Sequence, residues 1–260
     1  MIADPGALPA VAVFCGTLVG FSLALIGGGG SMLAMPLLLY VVGVKDPHEA
    51  IGTGALAVSL NAFANLIPHA RAGHVRWKAA FVFAPPMIIG AWLGSTLGKI
   101  VDGKHLVFLF ALLMLVVAFL MIRGRRNNAQ STWPKPHMLP RLGAVGFGAG
   151  TMAGFFGIGG GFLYVPGLIF ASGMSTIYAV GTSLFAVGTS ALTTSLSYMH
   201  SGIMPEWHIT LEFIGGGIVG GWLGAMLAKR LASTRGALNL VFAGALVVVA
   251  GYMLWRTWHG

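Results

Sequence analysis

The chain has 260 residues, of which 57% are hydrophobic and 8% are charged, and its mean hydropathy is +0.86. A soluble domain carries about 25% charged residues, so this chain has too few charges to cover a water-soluble surface. The apolar runs exceed the ~10 residues of a membrane-spanning strand and do not alternate, so we predict an all-α membrane protein. The net charge of +9 comes from basic residues that lie beside the apolar runs, where such residues determine membrane topology. It therefore does not indicate nucleic-acid binding.

The start of the chain and its single cysteine exclude several features. No basic region precedes the first apolar run, so that run is not expected to be a cleaved signal peptide. Cys15 is the single cysteine, which excludes an intramolecular disulfide and a cysteine metal cluster. Within an apolar helix, Cys15 is expected to be a small buried hydrophobe.

Apolar segments divide the chain into two halves. The first half, residues 1–122, has segments at 8–26, 31–44, 50–69, 79–98 and 105–122. Residues 123–138 are polar and basic and form the predicted cytoplasmic linker. The second half, residues 139–260, repeats the order with segments at 139–156, 161–173, 178–199, 209–228 and 237–256. We therefore predict two membrane repeats joined by one linker.

A glycine-rich run interrupts the start of each half. Residues 26–38 read Ile-Gly-Gly-Gly-Gly-Ser-Met-Leu-Ala-Met-Pro-Leu-Leu, and residues 156–168 read Phe-Gly-Ile-Gly-Gly-Gly-Phe-Leu-Tyr-Val-Pro-Gly-Leu. Each glycine costs about 1 kcal/mol relative to alanine inside a helix, so the helix is expected to break there. In a bilayer, broken backbone is tolerated only where protein or a water-filled cavity satisfies its polar groups. Two breaks in corresponding positions are typical of a transporter's substrate site.

Further matches between the halves indicate a gene duplication. At offsets of 129 and 130 residues, the matched positions are Ala50/Ala179, Gly52/Gly181, Thr53/Thr182, Ala57/Ala186, Val58/Val187, Gly73/Gly202, Gly90/Gly220, Trp92/Trp222, Leu93/Leu223, Gly94/Gly224, Leu97/Leu227 and Lys99/Lys229. The glycine-rich runs align at the same offset, so the repeat extends over both halves.

Length and charge decide whether each glycine-rich run crosses the membrane or turns back. The run from residue 8 to residue 44 would measure about 55 Å as one helix, against about 30 Å for the hydrocarbon core. With re-entrant hairpins and three crossings after each, eleven basic residues lie on one side and four on the other, against nine and six for single crossings. Because cytoplasmic loops carry the excess of Lys and Arg, re-entrant hairpins are favoured. Three crossings per half predict inverted repeats, with the N-terminus outside and the linker inside.

The chain resembles the TauE/SafE (TSUP) family of bacterial sulfite exporters over nearly its whole length. The resemblance is carried by Gly27–Gly30 with Pro36 and Ala50-Ile-Gly-Thr53, by Gly157–Gly161 with Pro166 and Ala179-Val-Gly-Thr182, and by Trp-Leu-Gly at 92–94 and 222–224. It implies a transporter in the bacterial cytoplasmic (inner) membrane that exports sulfite, an organosulfonate or a related small sulfur-containing anion. The family's members differ in substrate, so the resemblance does not select one molecule.

The two glycine turns form the predicted anion site. Their backbone N–H groups can approach an oxyanion closely because no side chain intervenes. Helices that begin near Ser31 and Gly161 would direct their positive ends at it. The alternative role of the glycines is close helix packing. The substrate-binding residues predicted in the turns are Gly28, Gly29, Gly30, Ser31, Gly159, Gly160 and Gly161.

Polar side chains on the helix after each turn complete the predicted site. Asn61, Asn65 and His69 recur every four residues, so they share one helical face, which should be turned to the protein interior or a cavity. The substrate-binding residues predicted on these helices are Thr53, Asn61, Asn65, Thr182, Ser190 and Thr194. Their alternative role is interhelical hydrogen bonding, worth about 0.6 kcal/mol per pair in a membrane.

Other chemistries lack candidate residues. No pattern of a metal site, a cofactor site or a catalytic motif is present, so neither an enzyme nor a cofactor is predicted. The six acidic residues are all predicted at segment ends or in loops, so no carboxylate relay for a coupling ion is predicted: Asp4, Asp46, Glu49, Asp102, Glu206 and Glu212. An anion channel and a transporter of another small solute, such as a carboxylate, are the alternatives.

Three basic residues near the predicted membrane ends have two interpretations each. Arg71 suits either anion recruitment or a charge placed at the bilayer surface by topology. His69 and His200 suit either a proton relay or a structural hydrogen bond. The sequence does not determine the coupling ion, the net direction of transport or the oligomeric state.

Overall fold

The computed structural model describes residues 8–26, 28–123, 137–157, 159–230 and 235–259, and within them the chain forms helices and turns without a β-strand. The helices are α1 (Leu8–Ile26), α2 (Ala34–Leu37), α3 (Pro47–Arg71), α4 (Trp77–Ile100), α5 (Gly103–Arg123), α6 (Met138–Phe156), α7 (Gly161–Ser172), α8 (Thr176–His200), α9 (Trp207–Arg230) and α10 (Arg235–His259). Within the described ranges, α3, α4, α5, α8 and α9 contain apolar stretches long enough to cross a membrane. The prediction of an all-α polytopic membrane protein is confirmed.

The helix ends follow the predicted segments, and aspartate caps fix two of the starts. Asp46 precedes α3 and accepts a hydrogen bond from the N–H of His48 at 2.9 Å. Asp102 precedes α5 and accepts one from the N–H of Lys104 at 2.9 Å. These caps satisfy N–H groups that have no partner within the first helical turn. Residues 124–136, most of the predicted linker, lie outside the described residues.

Both glycine-rich runs break the helix, but the two halves continue differently. In the first half a 3₁₀ turn (Gly28–Leu33), the short α2 and a π turn (Leu38–Val42) fold back along α1. A helical segment, Gly30–Val42, therefore follows the first turn near Ser31 as expected, but only its middle part is α-helical. Gly30 lies so close to the backbone of Ser22 and Leu23 that a Cβ would overlap it, and the narrower 3₁₀ turn allows this approach. In the second half the regular helix α7 begins at Gly161, as expected.

Glycine seams join α1 to α9 and α4 to α6. On α4, Cβ atoms at Gly90 and Gly94 would overlap the carbonyl groups of Phe147 and Thr151 on α6. On α6, a Cβ at Gly154 would overlap the carbonyl of Ala91 on α4. Contacting positions increase together along both helices, so α4 and α6 run parallel. Small residues allow this close backbone approach in membranes, where dispersion contacts supply much of the association energy.

The corresponding helices of the two halves, α3 and α8, cross in antiparallel orientation. Ser59 donates a hydrogen bond to the carbonyl oxygen of Gly188 at 2.8 Å, and these two positions are equivalent in the repeat. Towards the other ends, Ser195 donates to the carbonyl oxygen of Gly52 at 3.3 Å. The second contact lies seven residues earlier on α3 and seven residues later on α8, which fixes the antiparallel direction. The crossing at Ser59 and Gly188 is therefore the centre of the repeat arrangement.

Several other helix contacts also join an element of one half to an element of the other half. α1 of the first half packs on α9 of the second, and the corresponding α6 packs on α4. α4 also contacts α8, as α9 contacts α3, while α5 and α10 pack against each other. Each contact thus has its counterpart with the halves interchanged, which is the pattern that a twofold relation between them generates.

Candidate functional site

The two glycine turns lie next to the central crossing of α3 and α8. The 3₁₀ turn Gly28–Leu33 contacts both α7 and α8. In the second turn, a Cβ added at Gly159 would lie 3.2 Å from Val58 Cγ1 on α3, and 3.3 Å from Val187 Cγ1 and Ala191 Cβ on α8. A side chain larger than that of glycine would crowd this crossing, so the turn backbone lies directly against both helices.

Ser190 on α8 fixes the second turn. Its hydroxyl donates a hydrogen bond to the carbonyl oxygen of Gly159 at 3.0 Å, and the side chain is fully buried. The turn itself has left-handed backbone, with φ of +68°, +65° and +64° at Gly157, Gly159 and Gly160. Only glycine adopts this conformation without strain. Ser190, one of the predicted site residues, is therefore in contact with the glycine turn.

Tyr164 on α7 also lies on the second turn, and sequence reasoning missed it. A Cβ at Gly160 would lie 2.8 Å from the Tyr164 hydroxyl oxygen, and the ring packs edge-on against Phe83 with centroids 5.5 Å apart. The side chain is fully buried, and its hydroxyl has no hydrogen-bond partner of acceptable geometry among the described residues. The available signal was a tyrosine within an otherwise apolar helix, at the position where the first repeat has Ala34.

The predicted asparagines on α3 face α9 instead of α8. A Cβ at Gly217 would overlap the amide of Asn61, and one at Gly221 would overlap that of Asn65. Asn65 donates a hydrogen bond from Nδ2 to the carbonyl oxygen of Asn61 at 2.9 Å. Both amide atoms of Asn61, which is fully buried, have no partner among the described residues. The buried hydroxyl of Thr194 on α8 is likewise without a described partner.

Thr53 and Thr182 lie near the N-terminal ends of α3 and α8, and therefore at opposite ends of this antiparallel pair. The Thr53 hydroxyl accepts a hydrogen bond from the N–H of Glu206 at 3.0 Å, just before α9. The Thr182 hydroxyl accepts one from the N–H of Arg76 at 3.0 Å, just before α4. Each threonine lies six residues from the crossing, or about 9 Å at 1.5 Å per residue. The structure thus does not bring them to the glycine turns.

The interior around the crossing is polar but carries no charged side chain. Among the described residues, the buried side chains with hydroxyl or amide groups are serines, threonines, asparagines and the tyrosines Tyr164 and Tyr198, and they include Ser31 of the first turn. The described carboxylates of Asp46, Glu49, Asp102, Glu206 and Glu212 are exposed or half-buried. No group of three His, Cys, Asp or Glu side chains suited to a metal ion occurs in the described part of the chain. The described interior therefore offers neutral hydrogen-bonding groups.

Basic residues gather at both ends of the α3 and α8 pair. At one end Lys99 donates to the carbonyl and hydroxyl oxygens of Ser197 at 2.9 and 3.0 Å and to the hydroxyl of Ser201 at 2.7 Å. Lys99, with Lys45 and Lys104, also lines an open depression of about 660 Å³. The predicted topology assigns this end to the outside. Asp46 and Asp102 line the same depression, so its excess of positive charge is small.

The opposite end carries its own basic and aromatic group. The Arg76 guanidinium lies 3.9 Å from the ring centroid of Tyr178, a cation–π contact. The rings of His69 and His74 are 6.1 Å apart, and Arg71 is exposed. Arg76 therefore contacts Tyr178, and His69 contacts His74, at this end of the helix pair.

Comparison with known proteins gives a consistent result. The family described as "Sulfite exporter TauE/SafE" matches residues 12–255. A "Probable membrane transporter protein" of Xylella fastidiosa (strain 9a5c) is 52% identical over 250 residues, covering 95% of each chain. The "Probable membrane transporter protein YunE" of Bacillus subtilis (strain 168) is 27% identical over 243 residues, covering 85% of this chain and 89% of that protein. No solved structure matches the chain.

Proposed function

Because the chain belongs to the sulfite exporter TauE/SafE family of membrane transporters, we propose that it exports sulfite, an organosulfonate or a related small sulfur-containing anion. In this proposal the protein is a secondary transporter that holds the anion between its two glycine turns and works by alternating access. It acts in the bacterial cytoplasmic membrane, and no enzymatic step is part of it.

One observation carries the proposal: the first glycine turn contacts α7 and α8, and the second turn lies against α3 and α8 at their crossing, where the described buried side chains are neutral. A small oxyanion accepts hydrogen bonds from N–H and O–H groups and is repelled by carboxylates. Turn backbone free of side chains supplies N–H donors. The twelve-residue helix α7 begins at the second turn, so its partial positive end adds to the attraction of an anion.

Alternating access is supported by the direction of the paired helices. The equivalent helices α3 and α8 are antiparallel at the centre, as inverted repeats require. The parallel pairs formed by α1 with α9 and by α4 with α6 agree with hairpins that enter from opposite faces. We propose accordingly that both hairpins are re-entrant, with the N-terminus outside and the linker in the cytoplasm.

The proposed ligand-binding residues are the turn residues and the buried polar side chains of α3 and α8 that do not hold the backbone before another helix. From the sequence-predicted set we keep Gly28, Gly29, Gly30, Ser31, Asn61, Asn65, Gly159, Gly160, Gly161, Ser190 and Thr194. Thr53 and Thr182 are excluded from direct binding because their hydroxyls hold the backbone before α9 and α4. Their role in this proposal is to position helices.

Transport into liposomes tests the proposal. The purified chain is reconstituted and uptake of radiolabelled sulfite is measured against concentration, with sulfate, thiosulfate, sulfoacetate, taurine and acetate as competitors at equal ionic strength. We expect saturable sulfite or sulfonate uptake that acetate does not inhibit. Uptake of acetate without any sulfur anion would contradict the substrate class. Flux that does not saturate would contradict the transporter mechanism in favour of a channel.

A further inference from the structure

The Tyr164 hydroxyl lies at the second glycine turn without a described protein partner. The whole side chain is buried, and the hydroxyl faces the backbone of Gly160, where even a Cβ would be 2.8 Å from the oxygen. The nearby Ser190 hydroxyl donates its proton to the carbonyl oxygen of Gly159. The Ser190 hydroxyl is close enough to interact with the Tyr164 hydroxyl, but the geometry between them is not that of a hydrogen bond. The tyrosine hydroxyl therefore retains its donor at the turn that the transport proposal assigns to the anion.

Burying a hydroxyl without a hydrogen bond lowers the stability of the fold, so packing alone does not explain the tyrosine at this position. A buried hydroxyl without a hydrogen bond loses its interaction with water and gains nothing in return. Phenylalanine would fill the same volume without that loss. The first repeat has Ala34 at the equivalent position, so the hydroxyl is not a requirement of the repeated fold. It belongs to the second turn alone.

We propose that the Tyr164 hydroxyl donates a hydrogen bond to an oxygen of the transported oxyanion. This inference rests on the proposed function and adds one side-chain ligand to it. The edge-on contact with Phe83 holds the ring, so little side-chain freedom is lost when the anion binds. A hydrogen bond to a charged acceptor is about twice as strong as one between neutral groups, which makes this hydroxyl a specific donor for an oxyanion.

The variant Tyr164→Phe tests the inference by removing one oxygen atom. Sulfite uptake into liposomes is compared in the wild-type chain and the variant, and the melting temperature of each purified protein is measured without ligand. Loss of one hydrogen bond to a charged group is expected to raise the half-saturating sulfite concentration about 10- to 100-fold. The unliganded melting temperature is expected to stay equal or rise, because the unpaired hydroxyl is gone.

Tyr198→Phe is the matched control. Tyr198 is also a fully buried tyrosine without a described hydrogen-bond partner for its hydroxyl, but it lies at the end of α8, with its ring 6.0 Å from that of His48. Its removal is expected to leave the half-saturating concentration unchanged.

Four outcomes separate the inference from the proposal beneath it. Weaker sulfite binding in Tyr164→Phe alone, with an equal or higher melting temperature, supports the inference. Unchanged uptake in Tyr164→Phe overturns the inference and leaves sulfite transport standing. A lower melting temperature in that variant identifies a structural hydroxyl and also overturns it. A wild-type chain that takes up no sulfur anion overturns the proposed function, and the inference with it.

Discussion

Ser190→Ala is the most informative perturbation of the second turn. The substitution removes the 3.0 Å hydrogen bond to the Gly159 carbonyl oxygen and leaves that buried oxygen without this partner. An unsatisfied buried acceptor costs about 1–3 kcal/mol, whereas side-chain hydrogen bonds in membranes average about 0.6 kcal/mol. We therefore expect destabilisation of about 1 kcal/mol, or roughly 2–4 °C in melting temperature.

Ser183→Ala provides the comparison on the same helix. Ser183 is equally buried, but its hydroxyl donates to Val180 within α8, so no turn depends on it. In the proposed site the anion must also re-order the loosened turn on binding, and about 1 kcal/mol corresponds to roughly a fivefold change in a binding constant. The half-saturating sulfite concentration should therefore rise about fivefold in Ser190→Ala and remain near wild type in Ser183→Ala. Thermal unfolding of both purified variants and liposome uptake measure these effects. Equal melting temperatures and equal uptake in the two variants would refute this account of the turn.

Two further predictions concern the framework around the site. Thr53→Val and Thr182→Val should each lower the free energy of unfolding by about 1 kcal/mol, since both hydroxyls bind backbone before other helices. The half-saturating sulfite concentration should stay unchanged in both variants. A higher half-saturating concentration in either variant would return that threonine to the ligand set. Gly94→Val should abolish folded, monodisperse protein in detergent because the valine side chain would overlap the Thr151 carbonyl. Gly148→Val should be tolerated because a Cβ there has no neighbouring atom within 4 Å. Equal yields of the two variants would contradict the close packing of α4 against α6.

The sequence predicted the helices and the two helix breaks because these depend on strong, repeated signals. Apolar length identified the membrane helices, and glycine composition located both helix breaks. The contact between Ser59 and Gly188 at the crossing was not among the predictions, although the two positions are 129 residues apart and therefore equivalent in the repeat. The position of a membrane helix depends on the apolar length of its own segment, and the position of a break depends on the local glycine content.

Placement of individual polar residues could not be predicted in the same way. Thr53 and Asn61 are eight residues apart, or about 12 Å along a helix. The alignment of the two repeats does not show which of them lies at the depth of the glycine turns. Which neighbour each side chain faces depends on helix rotation and packing: Asn61 lies on Gly217 of α9. Tyr164 was missed because its equivalent in the first repeat is Ala34, and a search for matched polar pairs excludes such a position.

The position of a bound oxyanion tests the central claim most directly. Crystals of the protein soaked with selenite, an analogue of sulfite, would be measured at the selenium absorption edge to locate the ion by anomalous scattering. The account predicts one peak between the first turn (Gly28–Leu33) and the second turn (Gly159–Gly161), within hydrogen-bonding distance of the Tyr164 hydroxyl. A peak confined to the depression lined by Lys45, Lys99 and Lys104, or no peak at the turns under saturating selenite, would contradict it.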